Sequence, residues 1–297
     1  MQTTPAARFA VVSLVISAAA WGLSWLPLKH FASLGLDGHA IALTAYAMVA
    51  VVSLPWILRE RRQWRAEAGL LCLIALSFGI ANVALSWALM AGSVVRTMLL
   101  FFLLPAWGVI GGKLLLRERL GPRRLLAAAL CLIGVFIIVG GTHAFDTPLS
   151  FADVTALVAG LSLVLGGITN RAATAIPIAS RTLVAFVGST GIALLALPLH
   201  PVELPVLSAW DWGMLALFAF AWLLGATLLT TYGVMHVDAS RAGVLQVVEL
   251  VVAVVSAVII GGEALGFKEW LGAALILSAS LLEALGHAGS KPEATTE

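Results

Sequence analysis

The sequence predicts an all-α polytopic membrane protein with ten transmembrane helices arranged as two inverted five-helix repeats. Three observations carry that prediction. First, hydrophobic residues make up 61% of the 297 residues and charged residues only 11%, with a mean hydropathy of +1.04; a soluble domain carries roughly 25% charged residues. Second, the apolar runs reach the roughly 20 residues that a helix needs to cross a bilayer, and none alternates with the period of a strand. Third, the chain repeats itself. Arg96 to Leu132 recurs without a gap as Arg241 to Leu277, pairing Arg96 with Arg241, Glu118 with Glu263 and Gly121 with Gly266. The same shift aligns Ser17 with Ser162, Gly22 with Gly167 and Ser24 with Thr169. Weak internal symmetry in an apolar chain is a mark of transporters.

The elements follow in order. Helix 1, at 8–29, starts at Arg8. Its small residues Ala18 to Ala20 mimic a signal-peptide cleavage site, but the apolar run continues to Leu28 and no soluble domain follows, so it reads as an uncleaved span. The turn Gly35-Leu36-Asp37-Gly38 leads into helix 2 at 39–58. Arg59 to Arg65 separate it from helix 3 at 68–91, and helix 4 follows at 94–117. Leu120-Gly121-Pro122 marks the turn into helix 5 at 122–140. The second half repeats the plan at 150–172, 180–198, 209–235, 239–261 and 267–287. The predicted organisation is thus a first five-helix repeat at 8–140, a second at 150–287, and a disordered polar tail at 288–297. In hydrocarbon a helix satisfies its own backbone, so a helical bundle is the expected solution.

Lys and Arg set the orientation. With a cytoplasmic N-terminus, Arg8, Arg59, Arg61, Arg62, Arg65, Lys113, Arg117, Arg119, Arg123, Arg124, Arg171, Arg181, Arg241 and Lys291 fall inside, and only Lys29, Arg96 and Lys268 outside. Both termini are therefore expected in the cytoplasm. Five helices per repeat force the second copy to enter the membrane from the opposite side. Arg96 opens helix 4 at the outer face and Arg241 opens helix 9 at the inner face. Two inverted halves that exchange conformations give alternating access.

Bulk numbers exclude several classes. A net charge of +2 offers no broad basic surface for nucleic acid. No histidine lies mid-membrane, and Cys72 and Cys131 sit inside apolar runs, so neither a metal site nor a disulfide framework is expected. No cofactor signature and no P-loop appears, so transport energy must come from a gradient.

The pattern of ten helices, a five-plus-five repeat and cytosolic termini resembles the drug/metabolite transporter superfamily. Trp21-Gly22 followed by Lys29 looks like the opening of the EamA-type repeat. Leu116-Arg117-Glu118-Arg119-Leu120-Gly121, echoed by Gly261-Gly262-Glu263-Ala264-Leu265-Gly266, is similar to the signature between helices 4 and 5. Within the superfamily the chain looks most like bacterial exporters of aromatic amino acids of the YddG type. The resemblance implies a central cavity walled by helices 1, 3, 4, 6, 8 and 9, with helices 5 and 10 at the periphery. One departure is visible: Pro105 in helix 4 faces Leu250 in the repeat, so a symmetric pair of proline hinges is absent.

The deep polar residues of those helices are the candidate substrate contacts. Glu249 lies eight residues past Arg241, or about 12 Å at ~1.5 Å per residue. A charge at that depth costs roughly 2.5–3.5 kcal/mol on insertion scales. Gln246 shares its face, and the pair reads either as a substrate-amine or proton site or as interhelical hydrogen bonding. Asn82 in helix 3 shares a stripe with Phe78 and Ser86, and the helix 8 equivalents are Leu223, Thr227 and Thr231. Helix 1 offers Ser17, Trp21 and Ser24, helix 6 Ser162 and Thr169, and helix 4 Phe101. For each small residue, plain helix packing competes with a binding role. Pro105 should kink helix 4, as a gating hinge or as a static bend. Glu118 and Glu263 read as local ion-pair or turn residues.

Such walls suit a small molecule with an aromatic or apolar body and few polar groups. The expected protein is a secondary transporter in the inner membrane, working as a monomer or homodimer. It exports small amphipathic metabolites, with aromatic or neutral amino acids first by resemblance and drugs or cationic amphiphiles as the alternative. Proton coupling through Glu249 stays open. An intramembrane enzyme lacks material: there is no His-Glu-x-x-His pair and no deep carboxylate dyad. A channel calls for a wet pore rather than an aromatic cavity.

Overall fold

A computed structural model describes residues 5–114, 121–139, 149–198, 201–202, 204–237 and 239–286. The described residues form ten helical columns and no strand. Span 1 comprises Pro5–Gly22 and Trp25–Ser33. Span 2 comprises Gly38–Ile41, a π-helical turn at Ala42–Tyr46, and Ala47–Arg59. Span 3 is Ala68–Ala91, and span 4 comprises Val94–Phe101 and Leu104–Leu114. Spans 5, 6 and 7 are Pro122–Val139, Phe151–Ala172 and Ile178–Ala196. Span 8 joins Ala209–Leu217 to Gly225–His236 through a second π-helical segment, Phe218–Leu224. Spans 9 and 10 are Ala239–Ile259 and Phe267–Gly286. Eight columns are long and apolar enough to cross a membrane; the apolar stretch of span 5 is the shorter Leu125–Ile138, and span 10 opens with Lys268 and Glu269. Valine, leucine and phenylalanine side chains stand exposed along the spans, as on Val51, Leu132 and Val255, where lipid replaces water as the solvent.

The sequence at each boundary explains the helix ends. Asp37 accepts from the Ala40 N–H at 2.7 Å, and Gly35 takes the positive φ of 89° that the preceding turn requires. Ser150 and Asp153 form a reciprocal capping box at the start of span 6, and Ser208 and Asp211 form another at the start of span 8. Glu60 reaches across to the N-terminus of span 7, accepting from the Ser180 N–H at 3.1 Å and its hydroxyl at 2.5 Å.

Two breaks have proline causes. Pro105 has no N–H for the Phe101 carbonyl, and span 4 breaks at Phe102 and Leu103 just before it. Pro27 likewise deprives the Leu23 carbonyl, and span 1 breaks at Leu23 and Ser24. The expected single helix at 8–29 is therefore two helices that extend to Ser33. The repeat counterparts, spans 6 and 9, run unbroken, with Ala172 and Leu250 in place of the prolines.

Packing follows the repeat. Span 1 lies against spans 8 and 9, as span 6 lies against spans 3 and 4. Span 4 packs on span 5 and span 9 on span 10, while spans 5 and 10 and spans 2 and 7 meet as equivalent pairs. The chain is thus a polytopic helical membrane protein built from two repeats that pack by one scheme. Glycines permit the closest crossings: Gly22 of span 1 faces the Glu249 carbonyl of span 9, and Gly160 of span 6 faces the Phe101 carbonyl that Pro105 leaves open.

Candidate functional site

Spans 1, 2, 3 and 8 surround a small internal cavity. Trp21, Ser24 and Leu28 of span 1 face Asn82, Leu85, Ser86 and Leu89 of span 3, with Tyr46 from span 2 and Phe218 and Leu223 from span 8. Its volume is about 20 Å³, enough for roughly one water molecule. At that size the cavity has no room for a metabolite in this conformation. Every polar lining group is uncharged: the hydroxyls of Ser24, Tyr46 and Ser86, the amide of Asn82 and the Trp21 indole.

Local structure sets each group. Ser24 sits at the break that Pro27 imposes, so its side chain is presented from a helix junction. Tyr46 closes the π-helical turn of span 2, is nearly fully buried and contacts the Ser86 hydroxyl. A π-turn adds a residue to the helical circuit and re-aims those beside it, and such turns recur at functional sites. Phe218 opens the π-helical segment of span 8 and packs on Phe31 and Trp222. Asn82 donates from Nδ2 to Ser189 Oγ of span 7 at 3.1 Å.

Of the residues the sequence singled out, the cavity brings together Trp21, Ser24, Asn82, Ser86 and Leu223. The others lie elsewhere. Ser17 is buried and donates to the Leu14 carbonyl, and Phe78 lies with its ring against Gly166 of span 6. Phe101 is buried edge-to-face on Phe102. Ser162 and Thr169 are buried in span 6, Thr169 donating back to Leu165. Thr227 and Thr231 donate one turn back along span 8, and Thr231 also meets Thr182 of span 7 at 3.4 Å. Gln246 is exposed and Glu249 half-buried; neither lines the cavity, and neither bonds to another described residue.

Sequence reading named Leu223 as a helix 8 wall residue, and missed Tyr46, Leu28, Leu85, Leu89 and Phe218. The π-helical turns account for Tyr46 and Phe218, because residues in them leave the stripe that a 3.6-residue period predicts; Leu28, Leu85 and Leu89 lie in ordinary α-helix. Glu263 corrects another expectation. Rather than pairing locally, it crosses to span 4, where its carboxylate accepts from the Ser93 hydroxyl at 2.6 Å and the Val94 and Val95 N–H groups at 2.7 and 3.0 Å. A carboxylate at a helix N-terminus satisfies orphan donors and favours the helix dipole. Its repeat partner Glu118 lies outside the described residues. Arg96 makes a two-pronged pair with Asp153 of span 6, at 2.6 and 2.9 Å, and also donates to the Ile138 carbonyl. No group of three or more potential metal ligands occurs among the described residues.

Comparison with known proteins gives the family. A solved crystal structure matches with a TM-score of 0.59 at 17% identity, over 94% of this chain and 97% of that one. At that identity the likeness speaks to the fold alone. No functionally curated protein matches. The sequence profile of the EamA-like transporter family matches twice, over residues 8–140 and 150–284. Two matches in tandem cover both halves of the bundle, and the chain belongs to the EamA-like transporter family, within the drug/metabolite transporter superfamily.

Proposed function

We propose that the protein is a secondary transporter that exports small amphipathic metabolites across the bacterial inner membrane by alternating access, with both termini in the cytoplasm. Aromatic and neutral amino acids are the first candidate substrates. The observation that carries this reading is the cavity: aromatic walls at Trp21 and Phe218 with uncharged hydrogen-bonding groups at Ser24, Tyr46, Asn82 and Ser86. Those groups suit a ligand with an aromatic or apolar body and a polar end without net charge. A cavity this small must widen to admit a substrate, as a carrier's site does and a permanently open pore does not. Glu249 supports proton coupling as part of the same reading, since a deep carboxyl without a bonding partner among the described residues is free to exchange a proton.

Counterflow in proteoliposomes tests the proposal. Labelled phenylalanine or tryptophan should accumulate transiently against unlabelled substrate inside, with saturation. Linear, nonsaturable flux favours a pore. Saturable exchange only with a cationic amphiphile such as tetraphenylphosphonium would replace the substrate class.

A further inference from the structure

Beyond the proline breaks, the packing of the two repeats departs from symmetry at one pair of contacts. Spans 3 and 7 pack along much of their length, whereas their repeat counterparts, spans 8 and 2, touch only locally. The cause lies in the residues at each crossing. In the tight pair, a Cβ on Gly79 would come within 2.5 Å of the Gly188 carbonyl carbon, and one on Gly188 would overlap the Ala75 carbonyl. The two backbones are in direct contact, with the Asn82–Ser189 hydrogen bond one turn further along. In the loose pair Leu224 replaces Gly79, Phe220 replaces Ala75, and span 2 has no glycine beyond Gly38 at its end. No pair of facing glycines is available there to bring the two backbones together. Span 8 is π-wound where the loose pair meets, at Phe218–Leu224, and it touches both the π-turn Ala42–Tyr46 and the α-helix Ala47–Arg59 of span 2.

The cavity lies beside the loose pair, whose Tyr46, Phe218 and Leu223 form part of its wall. The tight contact lies on the other side of Asn82, toward the face where span 1 begins. We propose that the Gly79–Gly188 crossing is the latch that seals the cavity from that N-terminal face, and that spans 2 and 8 are the looser door to the opposite face. This rests on the carrier reading above. A single side-chain hydrogen bond inside a membrane contributes little, so the Asn82–Ser189 bond assists the latch and the glycine contact makes it. Because the door's residues are bulky, its closure is looser than that of the latch, and the resting protein is sealed toward the N-terminal face.

Labelling of a cavity cysteine tests the latch without any substrate. Ser86→Cys is placed in a background of Cys72→Ser and Cys131→Ala, and an impermeant maleimide is applied to each face of oriented vesicles. With Gly188 intact, labelling should be at least tenfold faster from the face opposite the N-terminus. Gly188→Leu should raise the rate from the N-terminal face at least fivefold and lower the other. Unchanged rates, or an equal rise on both faces, overturn the latch. Should Gly188→Leu fail to fold, Gly79→Ala supplies the reciprocal test in the same background, because its Cβ would come within 2.5 Å of the Gly188 carbonyl carbon. It should raise labelling of the same cavity cysteine from the N-terminal face at least twofold, and unchanged rates overturn the latch. Shifted labelling without saturable counterflow would sink the carrier reading alone; saturable counterflow with unshifted labelling would sink the latch alone.

Discussion

Glu249 and Glu263 lie on the same half of the repeat yet meet opposite fates. Glu263 spends its carboxylate on three donors at the start of span 4, which stitches the end of the second repeat to the first. The Glu249 carboxyl makes no hydrogen bond to a described residue, and the Gly22 backbone lies against the Glu249 carbonyl. A carboxyl committed to a cap is structural; one left without partners at a span's interior is available to titrate. Glu249→Gln keeps the shape and removes the titration. We expect the substitution to flatten the dependence of counterflow on a pH gradient while exchange at equal pH falls less than threefold. A pH profile identical to the parent's removes Glu249 from coupling.

At the scale of elements, three of four departures from a uniform α-helix, those in spans 1, 2 and 8, lie at the cavity, and the fourth is in span 4. Spans 1 and 4 break at Pro27 and Pro105, and spans 2 and 8 carry π-helical turns. The Pro105 break was legible because a proline in a long apolar run has one mechanical consequence. Pro27 carried the same signal, but its position near the end of the expected helix at 8–29 hid it. The π-turns have no such marker: Ala-Leu-Thr-Ala-Tyr and Phe-Ala-Phe-Ala-Trp-Leu-Leu contain nothing that distinguishes a wide turn from an ordinary one. That is why Tyr46 and Phe218 escaped a reading based on helical stripes, while Trp21, Ser24, Asn82 and Ser86 did not. Both proline breaks sit in the first repeat, and the second has no counterpart to either. Pro105→Ala restores the donor to the Phe101 carbonyl, which now faces Gly160. The added hydrogen bond should straighten span 4 and slow counterflow several-fold with substrate affinity within a factor of two. Turnover equal to the parent's would leave the proline a shaping role only.

At the scale of the molecule, the inverted arrangement is a statement about parity. Five columns, spans 3 to 7, separate the turn near Gln63 from the loop near Val206. An odd number of crossings puts those two points on opposite faces, and the same count, repeated, is what inverts the second half. The charge pattern adds direction: Arg59, Arg61, Arg62 and Arg65 flank Gln63, and no Lys or Arg lies between Arg181 and Arg241 around Val206. Gln63 and Val206 are both exposed, so a cysteine at either is reachable without opening the bundle. In the cysteine-free background, Val206→Cys should react with an impermeant maleimide in intact cells. Gln63→Cys should react only after permeabilisation. The reversed pattern would keep the architecture and turn the transport direction around. Labelling of both from one face would mean an even number of crossings between them, and two inverted halves would no longer exist to exchange conformations.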